Sequence, residues 1–125
     1  LDPARMPRQV MLQWNDGTWE HRAYWGENLI PWGTDNTVSR QYMGPLPPPG
    51  RWVRLEVPAA TVGVEGRIVN GMAFTLFDGM ATWDRAGKRA LQPVGSGEQD
   101  ASAPALLFTG GSLDFTSVID PAIGA

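Results

Sequence analysis

The chain has 125 residues, a net charge of −3, no Cys, a single His and six Trp, so it is sized for one domain and excludes disulfides, thiol catalysis and multi-histidine metal centres. A single lysine, Lys88, with scattered Arg argues against nucleic acid, which needs clustered cations. No apolar run approaches the roughly 20 residues of a membrane helix, so the sequence predicts no membrane insertion.

With 15 Gly and 11 Pro, many turns separate the aromatic and β-branched runs, and that points to β structure. The chain opens on Leu1-Asp2-Pro3 rather than on Met, from which a processed or excised piece is expected. Val10 to Asn15 alternates apolar and polar residues, as does Thr18 to Trp25, and Asp16-Gly17 lies between them. That pattern predicts a tight hairpin, because a type I′ turn needs positive φ at both central residues. A two-residue turn sets Trp14 opposite Trp19, Leu12 opposite His21, and Val10 opposite Ala23. One face of the ribbon is then apolar and the other polar.

Residues 26–50 read as a long loop, closed by Pro45-Leu46-Pro47-Pro48-Pro49-Gly50. Arg51 to Val57 predicts a third strand, with Val53, Leu55 and Val57 inward and Trp52, Arg54 and Glu56 outward. Pro58 ends it, and Ala59 to Gly66 predicts one helical turn. Ile68 to Phe77 and Met80 to Asp84 predict two more strands around Asp78-Gly79, with Phe74 aligned to Trp83. Two ribbons, each apolar on one side, bury those sides best against each other, which predicts a β-sandwich of antiparallel strands. Residues 1–90 form that module, 91–104 read as a linker, and 105–125 as a β-prone tail that forms a last hairpin or donates a strand.

Trp14, Trp19 and Trp83 fall on the predicted apolar faces and are assigned to the core. Tyr24 and Trp52 fall on polar faces, and Trp32 and Tyr42 in the loop. Exposed rings suit sugars, because the C–H face of a pyranose stacks on an aromatic while polar neighbours bond its hydroxyls. Arg22 and Arg54 are the cationic neighbours, with Glu20 and Glu56 beside them. The competing reading is cross-strand pairing and loop aromatics tucked onto the core. His21 reads as a satisfied core histidine, with no Ser or Asp brought near it by the predicted register. No phosphate loop or nucleophile elbow is present, and nothing brings Glu20 and Glu56 together as an acid/base pair.

Three strings carry a resemblance: Val10-Met-Leu-Gln-Trp-Asn-Asp-Gly-Thr-Trp-Glu-His-Arg-Ala-Tyr-Trp-Gly26, Gly50-Arg-Trp-Val-Arg-Leu-Glu-Val-Pro58, and Asn70-Gly-Met-Ala-Phe-Thr-Leu-Phe-Asp-Gly79 with Ala81-Thr-Trp-Asp84. The stretch 1–88 resembles a module of bacterial Rhs/YD-repeat and other large secreted or surface proteins. It is similar in pattern to galactose-binding-like jelly rolls, the fold of many carbohydrate-binding modules. The resemblance implies a jelly-roll sandwich, an extracellular or cell-surface location, and a polysaccharide or glycan as partner. It implies Asp84 as one ligand of a structural calcium ion, against the plain alternative of a solvated strand end and no cofactor. It also implies strands upstream of Leu1, and hence an open strand edge that pairs with the chain's own tail, another copy or a partner chain.

The expected function is that of a non-catalytic carbohydrate-binding or adhesive accessory module, not an enzyme. The alternative is a structural subunit that assembles into homo-oligomers or filaments through open strand edges.

Overall fold

A computed structural model describes residues 1–89 and the strand 112–117. The expected linker 91–104, and the tail apart from 112–117, lie outside the described residues. The chain is all-β. Among the described residues, seven strands run in the order β1 (Gln9–Asn15), β2 (His21–Gly26), β3 (Gln41–Gly44), β4 (Val53–Pro58), β5 (Gly71–Phe77), β6 (Ala86–Arg89) and β7 (Ser112–Ser117), with one 3-10 turn at Ala59–Val62. They form a four-stranded sheet in the order β3-β2-β1-β5 and a three-stranded sheet in the order β4-β7-β6.

The sheets face each other across one core. Val10, Leu12 and Trp14 of β1 and Ala23 and Trp25 of β2 meet Leu55 and Val57 of β4, with Ala59, Val62 and Val64 closing one end. Strand alternation produces this, since β1 and β4 each send every second side chain inward. The predicted third strand and the helical turn after Pro58 are both present, with Arg54 and Glu56 outward.

The β1–β2 register differs from the predicted hairpin. Trp14 pairs with His21, Leu12 with Ala23 and Val10 with Trp25. Side-chain oxygens explain the longer turn: Asn15 Oδ1 accepts the Gly17 N–H at 2.9 Å, and Asp16 Oδ1 accepts the Thr18 N–H at 3.4 Å. The shift is two residues, so the strand faces are unchanged, but Trp19 is left in the turn and stands 42% exposed rather than in the core.

The outer, more polar face of β1 and β2 is buried as well, which corrects the expectation of a ribbon with one buried and one exposed face. The segment 27–40 lies over it, and Ile30 packs with Met11, Tyr24 and Phe77 in a second small core. This segment is the crossover that β3 requires, because β3 runs parallel to β2. The stretch 26–50 is therefore not all loop, and the first sheet is mixed rather than wholly antiparallel.

Asp78 and Gly79 both have positive φ, 59° and 64°, as a tight turn after β5 demands. The chain beyond them does not return along β5. The Met80 N–H donates to the Arg5 carbonyl at 2.8 Å, and the Met80 carbonyl accepts from Asp2 at 3.0 Å. The N-terminal segment thus captures the residues expected to form a fifth strand, and 80–85 are irregular. The predicted Phe74–Trp83 pairing survives as a ring contact with centroids 4.9 Å apart.

Candidate functional site

The seven residues singled out from the sequence separate into two groups. Tyr24 and Arg22 belong to the buried outer core. Tyr24 is 3% exposed, and its hydroxyl donates to Asp35 Oδ1 at 2.9 Å. Burial and the Asp35 carboxylate push its phenol up to about 12. Arg22 spends its guanidinium on Gln13 Oε1 at 2.9 Å, the Ser39 carbonyl at 3.0 Å and both Glu20 oxygens at 3.2 Å. These two side chains fasten the 27–40 segment to the sheet. Their position on the outer face was legible, but the segment that covers that face was not.

Trp32, Tyr42, Trp52 and Arg54 are surface groups. Trp52 is half exposed on the outer side of β4, in line with Arg54 and with Glu56, which also receives Arg89 at 2.9 Å. Trp32 is half exposed on the covering segment. Asp84 is exposed beyond Trp83, and among the described residues no three His, Asp or Glu side chains stand together to hold a metal ion. No helix among the described residues is long and apolar enough to cross a membrane.

Tyr42 borders a concavity. A depression of about 400 Å³ lies where the start of β1, the end of β2 and β3 converge, with Tyr42, Pro45 and Leu46 on one side and Met6 and Pro7 on the other. Arg8 and Glu27 supply its polar edge. Their guanidinium and carboxylate form a two-pronged pair at 3.0 and 2.8 Å, and each side chain is about half exposed. Hydrogen bonding to Arg8 holds the Glu27 carboxyl below its ordinary range. Arg8 is fixed further by the Phe77 ring, 5.8 Å beneath its guanidinium, and by Asp78 at 4.0 Å.

The backbone beneath this pair is as constrained as the side chains. The Glu27 N–H donates to the Arg8 carbonyl at 2.9 Å, and Gly26 at the end of β2 has φ 90°. A Cβ on Gly26 would lie 2.5 Å from that carbonyl oxygen and 2.8 Å from the Leu46 side chain. Tyr42 leans on Tyr24 with ring centroids 5.3 Å apart, so the groove wall rests on the outer core. An aromatic and aliphatic wall beside a pre-set donor and acceptor pair suits a ligand that is flat, partly apolar and rich in hydroxyls.

Arg8 and Glu27 were not among the residues expected to matter. Gln9 pairs with Gly26, so Arg8 and Glu27 are the next residues out along the two strands. The observed register would have placed them opposite each other, and the register predicted from Asp16-Gly17 did not. The same shift brings Asp16 to His21, where the Nε2–Oδ1 distance is 3.0 Å, although no Asp was expected there.

No family model, curated protein or solved structure matches this chain.

Proposed function

We propose that the protein is a non-catalytic glycan-binding module that takes a sugar in the groove beside Tyr42. The observation that carries this reading is the half-exposed Tyr42 ring next to the two-pronged Arg8–Glu27 pair in a pre-formed depression. A pyranose stacked on Tyr42 gains ring contact, while its hydroxyls meet one donor group and one acceptor group already held in place. Arg8 carries one positive charge against the two carboxylates of Glu27 and Asp78, which favours neutral sugars over acidic ones. Trp52 and Trp32 serve as accessory platforms on other surfaces. The reading extends to a bacterial secreted or surface protein, with the module one part of a larger jelly-roll assembly.

A glycan array and pull-down on insoluble polysaccharides test it. The wild-type chain should be retained by at least one neutral glycan, and Tyr42→Ala should reduce retention about tenfold, the effect of losing roughly 1.4 kcal/mol. Retention that is unchanged in Tyr42→Ala, or absent from every surface, overturns the reading.

One observation favours a second role in assembly. Among the described residues no strand pairs with the outer edge of β5, a seven-residue strand without charge or proline that exposes Phe74. Sedimentation showing multimers that Phe74→Lys dissolves would support it, and a monomer at high concentration would oppose it.

A further inference from the structure

The His21 ring is wedged between two acceptors. Its Nδ1 lies 2.6 Å from the Val62 carbonyl oxygen, and its Nε2 lies 3.0 Å from Asp16 Oδ1. A backbone carbonyl and an ionised carboxylate only accept hydrogen bonds. Each contact therefore needs an N–H on the ring, and a neutral imidazole carries one. The ring and the carboxylate are both more than nine-tenths buried, so neither contact can be replaced freely by solvent.

We infer that His21 is held as an imidazolium in the folded protein, and that this charge clasps the β1–β2 turn to the end of the 3-10 turn. With only one ring N–H, a lone pair would face either the Val62 carbonyl or the Asp16 carboxylate.

The charged groups around the ring fit this assignment. Asp16 is its direct partner, and Arg67 holds the other Asp16 oxygen at 2.6 Å, so the carboxylate bridges two cations. Glu20 of the same turn lies near enough for the His21 charge to help lower its carboxyl, and is itself paired with Arg22 at 3.2 Å. The segment 59–64 contributes no ionisable side chain, only the Val62 carbonyl and apolar groups. From the covering segment, Val38 approaches Gly63, and its carbonyl is taken by the Arg22 N–H at 3.1 Å.

The clasp carries the contact between these parts of the chain past the end of the β1–β5 ladder, where Asn15 pairs with Gly71. The turn 16–20 carries the exposed Trp19, and the segment 62–70 carries the exposed Ile68. Besides Asp16, His21 and Arg67, the Asn70 N–H donates to the Asn15 carbonyl at 2.6 Å across the same gap. This end of the sandwich thus depends on a buried charge for which the sugar-binding reading has no use.

Nitrogen NMR of the ring in the intact chain tests the inference directly. At neutral pH both ring nitrogens should resonate as protonated. In Asp16→Asn the new side-chain amide can donate to a bare Nε2, so that nitrogen should move to the unprotonated position. In Asp16→Asn, protection factors of Gly17 to Trp19 and of Gly63 and Val64 should fall below those of the wild type. Those of Met11 and Leu12 in β1 should not. A ring with one unprotonated nitrogen at neutral pH overturns the assignment. Loop protection that is unchanged in Asp16→Asn overturns the clasp.

Discussion

The Tyr24 hydroxyl donates to Asp35 Oδ1 at 2.9 Å, and that bond ties the crossover segment to the buried outer face of the first sheet. Tyr24→Phe should destabilise the fold by about 1 kcal/mol in chemical denaturation, the usual net value of one hydrogen bond. It should also make the 27–40 segment easier for a protease to cut. The phenol sits at about 12 when folded against 10 ordinarily, so the folded state holds its proton more tightly. This contribution is complete below pH 10 and is lost as pH climbs through about 12. Wild type should therefore lose more stability than Tyr24→Phe across that window.

Trp14 and Trp19 lie five positions apart and should behave oppositely. Trp14 is fully buried between the sheets, and Trp14→Ala should cost about 3 to 5 kcal/mol. Trp19 stands in the turn, and Trp19→Ala should change stability by less than about 1 kcal/mol. The two-residue register would instead make the costs similar, and paired denaturant curves of the two variants decide between them.

Much of the fold was legible because the alternation of Val10, Leu12 and Trp14, and of Val53, Leu55 and Val57, has a period that only strands satisfy. The faces were right even where the register was wrong, since a two-residue slip preserves which side each chain presents. Three things were not legible. Asn15 and Asp16 widen the turn through side-chain bonds that compete with the tight Asp-Gly geometry. Met80 is drawn to Arg5, a partner distant in sequence. The parallel pairing of Tyr24 with Tyr42 depends on a crossover whose path no local pattern encodes. Tyr42 could be named from its type and setting, whereas Arg8 and Glu27 became neighbours only through the true register.

Gly26→Ala should destabilise the chain by more than about 1 kcal/mol, because the position needs positive φ and leaves no room for a methyl group. The added carbon presses on the Arg8 carbonyl and the Leu46 side chain, both at the groove. Thermal unfolding measures the first effect, and any residual glycan retention should fall with it.

Acid should weaken the protein through Asp16. Burial alone would raise its carboxyl, but the hydrogen bond from Arg67 and the charge and hydrogen bond of His21 outweigh it and bring it to about 2. A depressed carboxylate contributes fully above its ordinary value of 3.8, and that contribution is lost as pH falls through about 2. Asp16→Asn should be less stable than wild type at neutral pH, and should lose less stability between those two values. Parallel declines of both chains in urea denaturation across that range would contradict this.

Affinity electrophoresis in gels cast with soluble neutral polysaccharides tests the Tyr42 groove most directly. Wild type, Tyr42→Ala and Trp19→Ala are run side by side, the last removing an exposed ring that lies outside the groove. The account predicts that at least one polysaccharide retards wild type and Trp19→Ala equally while Tyr42→Ala migrates as in a blank gel. Equal retardation of all three proteins, or free migration of all three in every gel, would contradict it.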